Sequence, residues 1–265
     1  MITVRSLHIY PVKSCRGINV EVAEVESTGF QYDRRWMVID SDGTFVSQRG
    51  YPILARVITR IEEDRLLLDV PGREDTLEIA INGSAGDQRS VTVWKDTCTA
   101  LSAGPEAARW FSSLLETPCE LVRQPKSGIR QVDTGYADPG DRVAFADGFP
   151  FLLISQDSVD ELNQRLTEPV PADRFRANII IEGCDAHAED GWSMITVGEI
   201  GFRVAKPCAR CVVITTDQRD GTRSAEPLRT LAGYRTIDGK VLFGQNLVHQ
   251  GLGTLQIGDE VQTFC

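Results

Sequence analysis

Apolar residues fall along the chain in short runs, with polar residues and turn formers between them. In the first half, the runs Ile2–Tyr10, Ile18–Val25, Trp36–Asp40, Phe45–Ser47, Ala55–Ile61, Leu66–Val70, Thr76–Ile81, Ser90–Trp94 and Thr97–Leu101 read as strands. Asp42-Gly43, Pro71-Gly72 and Asn82-Gly83 supply turns between several of them. Pro105–Leu115 has helical spacing instead, with Ala108, Phe111, Leu114 and Leu115 on one face. Many short strands at such intervals predict a barrel or sandwich.

Residues 124–140 lack periodicity and carry Pro, Gly, Ser and Asp. They are a linker or a loop over a pocket. Beyond them, strands are predicted at Val143–Phe145, Phe151–Ile154, Asn178–Ile181, Met194–Val197, Ile200–Ala205, Val212–Thr216, Lys240–Phe243, Gln245–His249, Thr254–Ile257 and Glu260–Phe264. Ser155 or Asp157 caps a predicted helix ending near Leu166, and a short helix covers Pro227–Leu231. Strands rarely alternate with long helices, which disfavours a doubly wound parallel sheet. The expected class is mainly β with a few short helices. A β-barrel or sandwich-like domain spans 1–123 and a second β unit spans 124–265.

At 265 residues and 42% hydrophobic content, a sizeable core can form. The formal net charge of −10 excludes a nucleic-acid binder that works by bulk charge, but leaves room for a local basic pocket. Seven cysteines, an odd number at scattered spacings, suit a reducing compartment rather than a disulfide framework. No signal peptide is read before the first strand and no apolar segment is long enough to cross a bilayer. A soluble cytoplasmic protein with no membrane or nucleic-acid partner is expected.

The chemistry concentrates in Lys206-Pro207-Cys208-Ala209-Arg210-Cys211, which runs into the β-branched stretch Val212–Thr216. Cysteine thiolates bind soft metals and attack electrophiles, and neighbouring cations favour the thiolate. Besides an inert thiol pair, three readings compete. A thioredoxin-like redox pair needs a helix after the motif, whereas a strand is expected here. A structural zinc site would need Cys184 and His187 as further ligands. The third reading is a single thiolate, Cys211, on a metal that a cofactor carries. That reading calls for cationic partners. Lys13 and Ser14 follow the first strand, Arg34 precedes another, and Arg176 with Asn178 and Arg210 stand at further strand ends. Lys13, Arg34, Arg176 and Arg210 form a candidate phosphate clamp. No dinucleotide or Walker phosphate loop is present, and no Ser-His-Asp order stands out.

Six stretches carry a resemblance: Tyr10-Pro11-Val12-Lys13-Ser14, Asp33-Arg34, Phe175-Arg176-Ala177-Asn178, Ala188-Glu189-Asp190, Pro207-Cys208-Ala209-Arg210-Cys211 and Phe243-Gly244-Gln245-Asn246. In this order they resemble the MOSC family, an N-terminal MOSC β-barrel domain (1–123) followed by a MOSC domain (124–265), and within it the amidoxime-reducing members. The resemblance implies a molybdenum cofactor, a pterin dithiolene with a terminal phosphate. Cys211 matches the thiolate ligand of molybdenum, and so the catalytic position. Lys13, Ser14, Arg34, Arg176, Asn178 and Arg210 match positions that hold the pterin and its phosphate. The implied activity is reduction of N-hydroxylated compounds, with electrons from a separate ferredoxin-like, flavodoxin-like or reductase protein. The runner-up is a cofactor carrier or sulfur-transfer module. Ala177 stands where relatives often have Pro. On the same comparison the chain is expected to lack a membrane anchor and a C-terminal ferredoxin-like domain.

Overall fold

The computed structural model describes residues 1–83 and 86–265. Its largest element is a closed barrel of seven strands. In order around the barrel these are Phe151–Ser155, Ile179–Glu182, Ile2–Ile9, Glu260–Phe264, Met194–Val197, Ile200–Ala209 and Lys240–His249. Lys240–His249 pairs back onto Phe151–Ser155 and closes the ring. Every barrel pairing is antiparallel except that between Phe151–Ser155 and Ile179–Glu182, whose crossover contains the helix Gln156–Arg165. Closure removes exposed strand edges and forces inward residues to fill the interior. Leu7, Ile9, Phe151, Ile195, Phe202 and Leu247 fill it here. Thus the first strand of the chain is built into the barrel of its second half.

The rest of the N-terminal half forms smaller sheets. Trp36–Asp40, Cys119–Arg123, Asp96–Ser102 and Gln88–Val93 make one, and Ile58–Glu62, Arg65–Asp69 and Leu77–Ala80 another. The helix Pro105–Leu115 packs Ala107, Trp110, Phe111 and Leu115 against both; of the face expected from its spacing, Phe111 and Leu115 are buried, and Ala108 and Leu114 only partly. Ser155 caps the second helix, its Oγ accepting from the Ser158 N–H at 3.0 Å.

Several sequence expectations need correction. Val212–Thr216 is not a strand. Val212–Thr215 is one 3-10 turn, in which Ile214 N–H donates to Cys211 O at 3.2 Å. The ladder has already ended, and its neighbour Arg210 donates its N–H to Val241 O at 2.7 Å. Burial of Ile214 and Thr215 outweighs their β propensity. Phe45–Ser47 makes only an isolated bridge, at Phe45, and Val143–Phe145 is a bend that donates single backbone bonds to Arg130 O and Arg34 O. Ile18–Val25 divides into Ile18–Val20 and Val22–Glu26, which pair with different sheets. Cys119–Arg123 is a strand that its composition did not announce.

One strand replaces the two expected at Lys240–Phe243 and Gln245–His249. It continues through Gly244, whose φ of +75° only glycine adopts cheaply. A Cβ there would stand 2.5 Å from Leu153 O and from Ile154 Cγ2. Gly244→Ala is therefore expected to lower stability by about 1–3 kcal/mol, read from urea unfolding. An unchanged midpoint would show that the neighbouring strand yields without cost.

Candidate functional site

All seven residues singled out in the sequence line one cavity: Lys13, Ser14, Arg34, Arg176, Asn178, Arg210 and Cys211. The cavity lies where the ends of barrel strands meet loops of the N-terminal half. Six cations line it, the four named plus Arg49 and Arg174, against one carboxylate, Asp147, among the described residues. In a chain of net charge −10 this concentrates positive potential in a partly desolvated space.

The first strand delivers Lys13 and Ser14 through Tyr10-Pro11-Val12. Tyr10 N–H is taken by Asp33 Oδ1 at 2.8 Å, and Tyr10 O accepts the Arg34 N–H at 2.8 Å. Arg34 and Arg176 both lie over the Tyr10 ring, 4.2 and 4.4 Å from its centroid. Burial pushes the Tyr10 phenol up to about 12, so it stays neutral and donates to Ala177 O at 3.1 Å.

Arg34 and Arg176 both adopt left-handed backbone conformations, φ +48° and +54°, unusual for arginine. Their side chains are turned into the cavity wall and held there. Arg34 donates to Asp33 Oδ2 at 2.5 Å, Asn178 Oδ1 at 3.0 Å and Arg176 O at 3.0 Å. Burial raises the Asp33 carboxyl, and the Arg34 guanidinium pulls it back down. Arg176 donates to Gln218 Oε1 at 3.2 Å, and burial lowers its guanidinium. Asn178, fully buried, ties strands together as well as lining the cavity. Its Oδ1 also accepts from Leu152 N–H, and its Nδ2 donates to His8 O.

Arg210 donates Nε to Phe243 O at 2.8 Å and Nη1 to Phe175 O at 3.0 Å. Its Nη2 is buried with no partner among the described residues. Ser14 presents a hydroxyl without a protein partner among the described residues. Its carbonyl accepts from Gln48 Nε2 at 2.7 Å.

The two thiols are separated by the way their strand ends. The pairing of Ile200–Ala209 with Lys240–His249 slips twice, between Val204 and Lys206 and between Pro207 and Ala209. Such bulges re-aim side chains near a strand end. Lys206 turns away, onto the Tyr136 ring at 4.2 Å. Cys208 also borders the cavity, but it packs beside the Ile154 and Phe243 cluster, and burial pushes its thiol up. Cys211 faces the cavity, and its Sγ accepts from Arg49 Nη2 at 3.3 Å. The cation on this thiol is thus Arg49, 162 residues away, rather than the adjacent Arg210. Among the described residues, no group of three or more His, Cys, Asp and Glu side chains is placed to hold a metal, so Cys184 and His187 do not complete a zinc set.

Sequence reasoning missed Arg49 and Asp147, which stand alone in unpatterned loops. Asp147 bridges Lys13 Nζ at 2.5 Å and Arg49 Nη2 at 3.5 Å. Its carboxyl is exposed to the cavity yet ringed by protein. Burial works to raise it, but the two cations hold it well below the usual carboxylate range. Buried Arg130 fixes the loop by donating to Ala144 O and Asp147 O at 3.0 and 2.8 Å. The stretch 124–140 is accordingly a packed loop rather than a free linker, with Val132 and Ala137 buried beside Phe149.

The comparison with known proteins follows this layout. The MOSC N-terminal beta barrel domain model matches residues 1–118, and the MOSC domain model residues 140–262. The chain belongs to the MOSC family. It is 35% identical to mitochondrial amidoxime-reducing component 1 of Mus musculus over 98% of this chain and 81% of that protein. The Homo sapiens protein of the same name is also 35% identical, over 98% and 82%. A molybdenum cofactor sulfurase of Oryza sativa subsp. japonica is 34% identical over 92% of this chain, but only 32% of its own length. The MOSC models divide the sequence near residue 130, whereas the sheets share the first strand across that division.

Lys13 gives the site a pH signature. Burial lowers its ammonium from 10.5 to about 8, with Asp147 pulling it partly back. Between those values the unfolded chain holds the extra proton, so this group's contribution to stability rises with pH. The unfolding free energy of wild type relative to Lys13→Met should therefore rise by roughly 3 kcal/mol from pH 7.5 to 10.5. A flat difference would assign Lys13 an ordinary pKa.

Proposed function

We propose that this chain is a molybdenum-cofactor-dependent oxidoreductase that reduces N-hydroxylated compounds with electrons from a separate redox protein. The observation that carries the reading is the convergence of the Cys211 thiol, hydrogen-bonded to Arg49, with six cations on one cavity. Relatives named amidoxime-reducing components, matched over most of both chains, point the same way. The free cysteines support a reducing, cytoplasmic setting. No helix among the described residues is long and apolar enough to cross a membrane.

The donor set fits an anionic pterin dithiolene bearing a phosphate. A thiol is a soft ligand of the kind that suits a sulfur-held metal. Arginine forks and a lysine suit phosphate oxygens. Arg210 Nη2 and Arg174 Nε are buried without partners, so the cavity wall has donors in reserve. Cys211 would hold the metal. Lys13, Ser14, Arg34, Arg176 and Arg210 would hold the pterin and phosphate, with Asn178 keeping Arg34 in line. When bound, the cofactor supplies the two-electron redox centre, and the protein supplies orientation and electrostatics. In the net reaction the substrate N–O bond breaks and an N–H bond forms. Two electrons and two protons are consumed, and the oxygen leaves as water.

Cys211→Ala should lose both molybdenum and turnover when made in a host that synthesises the cofactor. Cys208→Ala should keep stoichiometric molybdenum and measurable turnover, because its thiol packs against the core rather than Arg49. Equal loss in both folded variants would point to a two-thiol site. Stoichiometric zinc in place of molybdenum in the wild type would sink the reading. A persulfide on Cys208 or Cys211 without turnover would favour a sulfur-transfer module, as the sulfurase relatives suggest.

Electron supply gives a separate test. With a simple amidoxime, loaded protein should turn over with reduced viologen and not with NADH, since no dinucleotide fingerprint is present. Sustained NADH oxidation by the purified chain, free of flavoprotein, would mean that it carries its own donor site.

A further inference from the structure

Arg49 differs from the other five cations of the cavity. Each of those makes at least one hydrogen bond of 3.2 Å or less to a protein acceptor. Arg49 makes none to an oxygen: its Nη2 donates to Cys211 Sγ at 3.3 Å, an ordinary length for sulfur, and stands 3.5 Å from Asp147 Oδ2. Its Nε and Nη1 have no hydrogen-bond partner among the described residues, so most of its five N–H donors are unspent.

The side chain is nonetheless held. Its guanidinium lies 4.6 Å from the centroid of Trp94, which in turn leans on Phe45 at 5.1 Å. Trp94 is at the tip of the hairpin between Gln88–Val93 and Asp96–Ser102. It adopts φ +58° and is 48% exposed. The two-residue turn Trp94-Lys95 itself calls for a positive φ at this position, but not for a large aromatic ring left half in water. The turn places that aromatic face against Arg49.

We propose that Arg49 and Asp147 together read the N–O–H group of the substrate: Arg49 donates to the oxygen, Asp147 accepts its hydrogen, and Trp94 holds Arg49 in position. The inference rests on the reductase reading and deepens it. An oxygen that is to be removed has to arrive beside the metal-holding thiol. Arg49 is the cationic donor within reach of Cys211 Sγ among the described residues. The carboxylate beside it can only accept. A donor and an acceptor 3.5 Å apart complement an oxygen that bears a hydrogen. Amidoximes, hydroxylamines and hydroxamic acids have that hydrogen. A tertiary N-oxide lacks it and sets its negative oxygen against Asp147, so it is rejected by repulsion as well as by a missing bond.

The test compares benzamidoxime with pyridine N-oxide on molybdenum-loaded protein, with reduced viologen as donor. Wild type should favour the amidoxime in kcat/KM by about tenfold or more. Arg49→Gln should raise the amidoxime KM about tenfold with unchanged molybdenum content, and Arg49→Lys should recover part of it. Binding gives an independent readout: benzamidoxime should quench tryptophan emission in wild type but not in Trp94→Phe, with a weaker Kd in Arg49→Gln. Unchanged KM and Kd in loaded Arg49→Gln would overturn the assignment. So would loss of molybdenum from that variant, which would make Arg49 a cofactor residue. Equal use of the N-oxide by wild type would overturn the N–O–H specificity. Wild type that carries molybdenum yet reduces neither compound would instead remove the reductase reading, and this inference with it.

Discussion

The site depends on one buried ring. Tyr10 ends the first barrel strand, and two guanidinium groups lie over it within 4.4 Å. Two like charges that close repel each other, and burial makes the repulsion harder to screen. Three compensations hold them. The negative face of the phenol ring attracts both. Asp33 pairs with Arg34. A backbone carbonyl and two side-chain amide oxygens take further donors. Two positive charges therefore remain at the cavity wall against one buried carboxylate. An anion entering the cavity would relieve repulsion already present, without having to gather cations from solution. Preorganisation of this kind lowers the cost of binding.

The same ring explains why the first strand belongs to the barrel of the second half. Were Ile2–Ile9 part of an independent N-terminal unit, Lys13 and Ser14 would ride on whatever hinge joined the two. Paired instead with Ile179–Glu182, the strand fixes Tyr10 relative to Arg176 and Asn178. Asn178 Nδ2 on His8 O and Oδ1 on Arg34 close the loop of contacts. Strand closure and cation placement are thus one constraint, which sequence order hides.

That constraint marks the limit of what the sequence makes legible. Strand positions in alternating or apolar runs emerge well, because periodicity is local. The strand Ile2–Ile9 can be read; its neighbours cannot, since pairing is a long-range fact. Val212–Thr215 misleads because β-branched propensity is weaker than burial of Ile214. At the site, residues flanking recognisable motifs could be found: Lys13 after Pro11, Arg34 after Asp33, Cys211 after Arg210. Arg49 and Asp147 could not. Neither has a patterned neighbour, and their partner lies 98 residues away in one case and 162 in the other. The one local signal was the exposed Trp94 beside a turn, which propensity reads only as a strand end.

The residues found and missed differ in how they are mounted. The cations proposed for the clamp stand in short turns beside strands, Lys13 after Ile2–Ile9, Arg34 before Trp36–Asp40 and Arg210 after Ile200–Ala209, while Arg176 caps the 3-10 turn Ala172–Phe175. Arg49 and Asp147 sit on loops, held by Trp94 and by Arg130. Loops tolerate change where ladders do not, and functional variation accumulates there. A tightly held anionic group needs the rigid mounting, because displacing any one donor leaves a buried charge unpaired. A transient substrate needs only a donor and an acceptor at the right separation, which two loops can supply and alter. On the proposed reading, the division between cations mounted beside strands and readers on longer loops follows from those unequal demands. It also accounts for why motif-based reading recovers the first group and passes over the second.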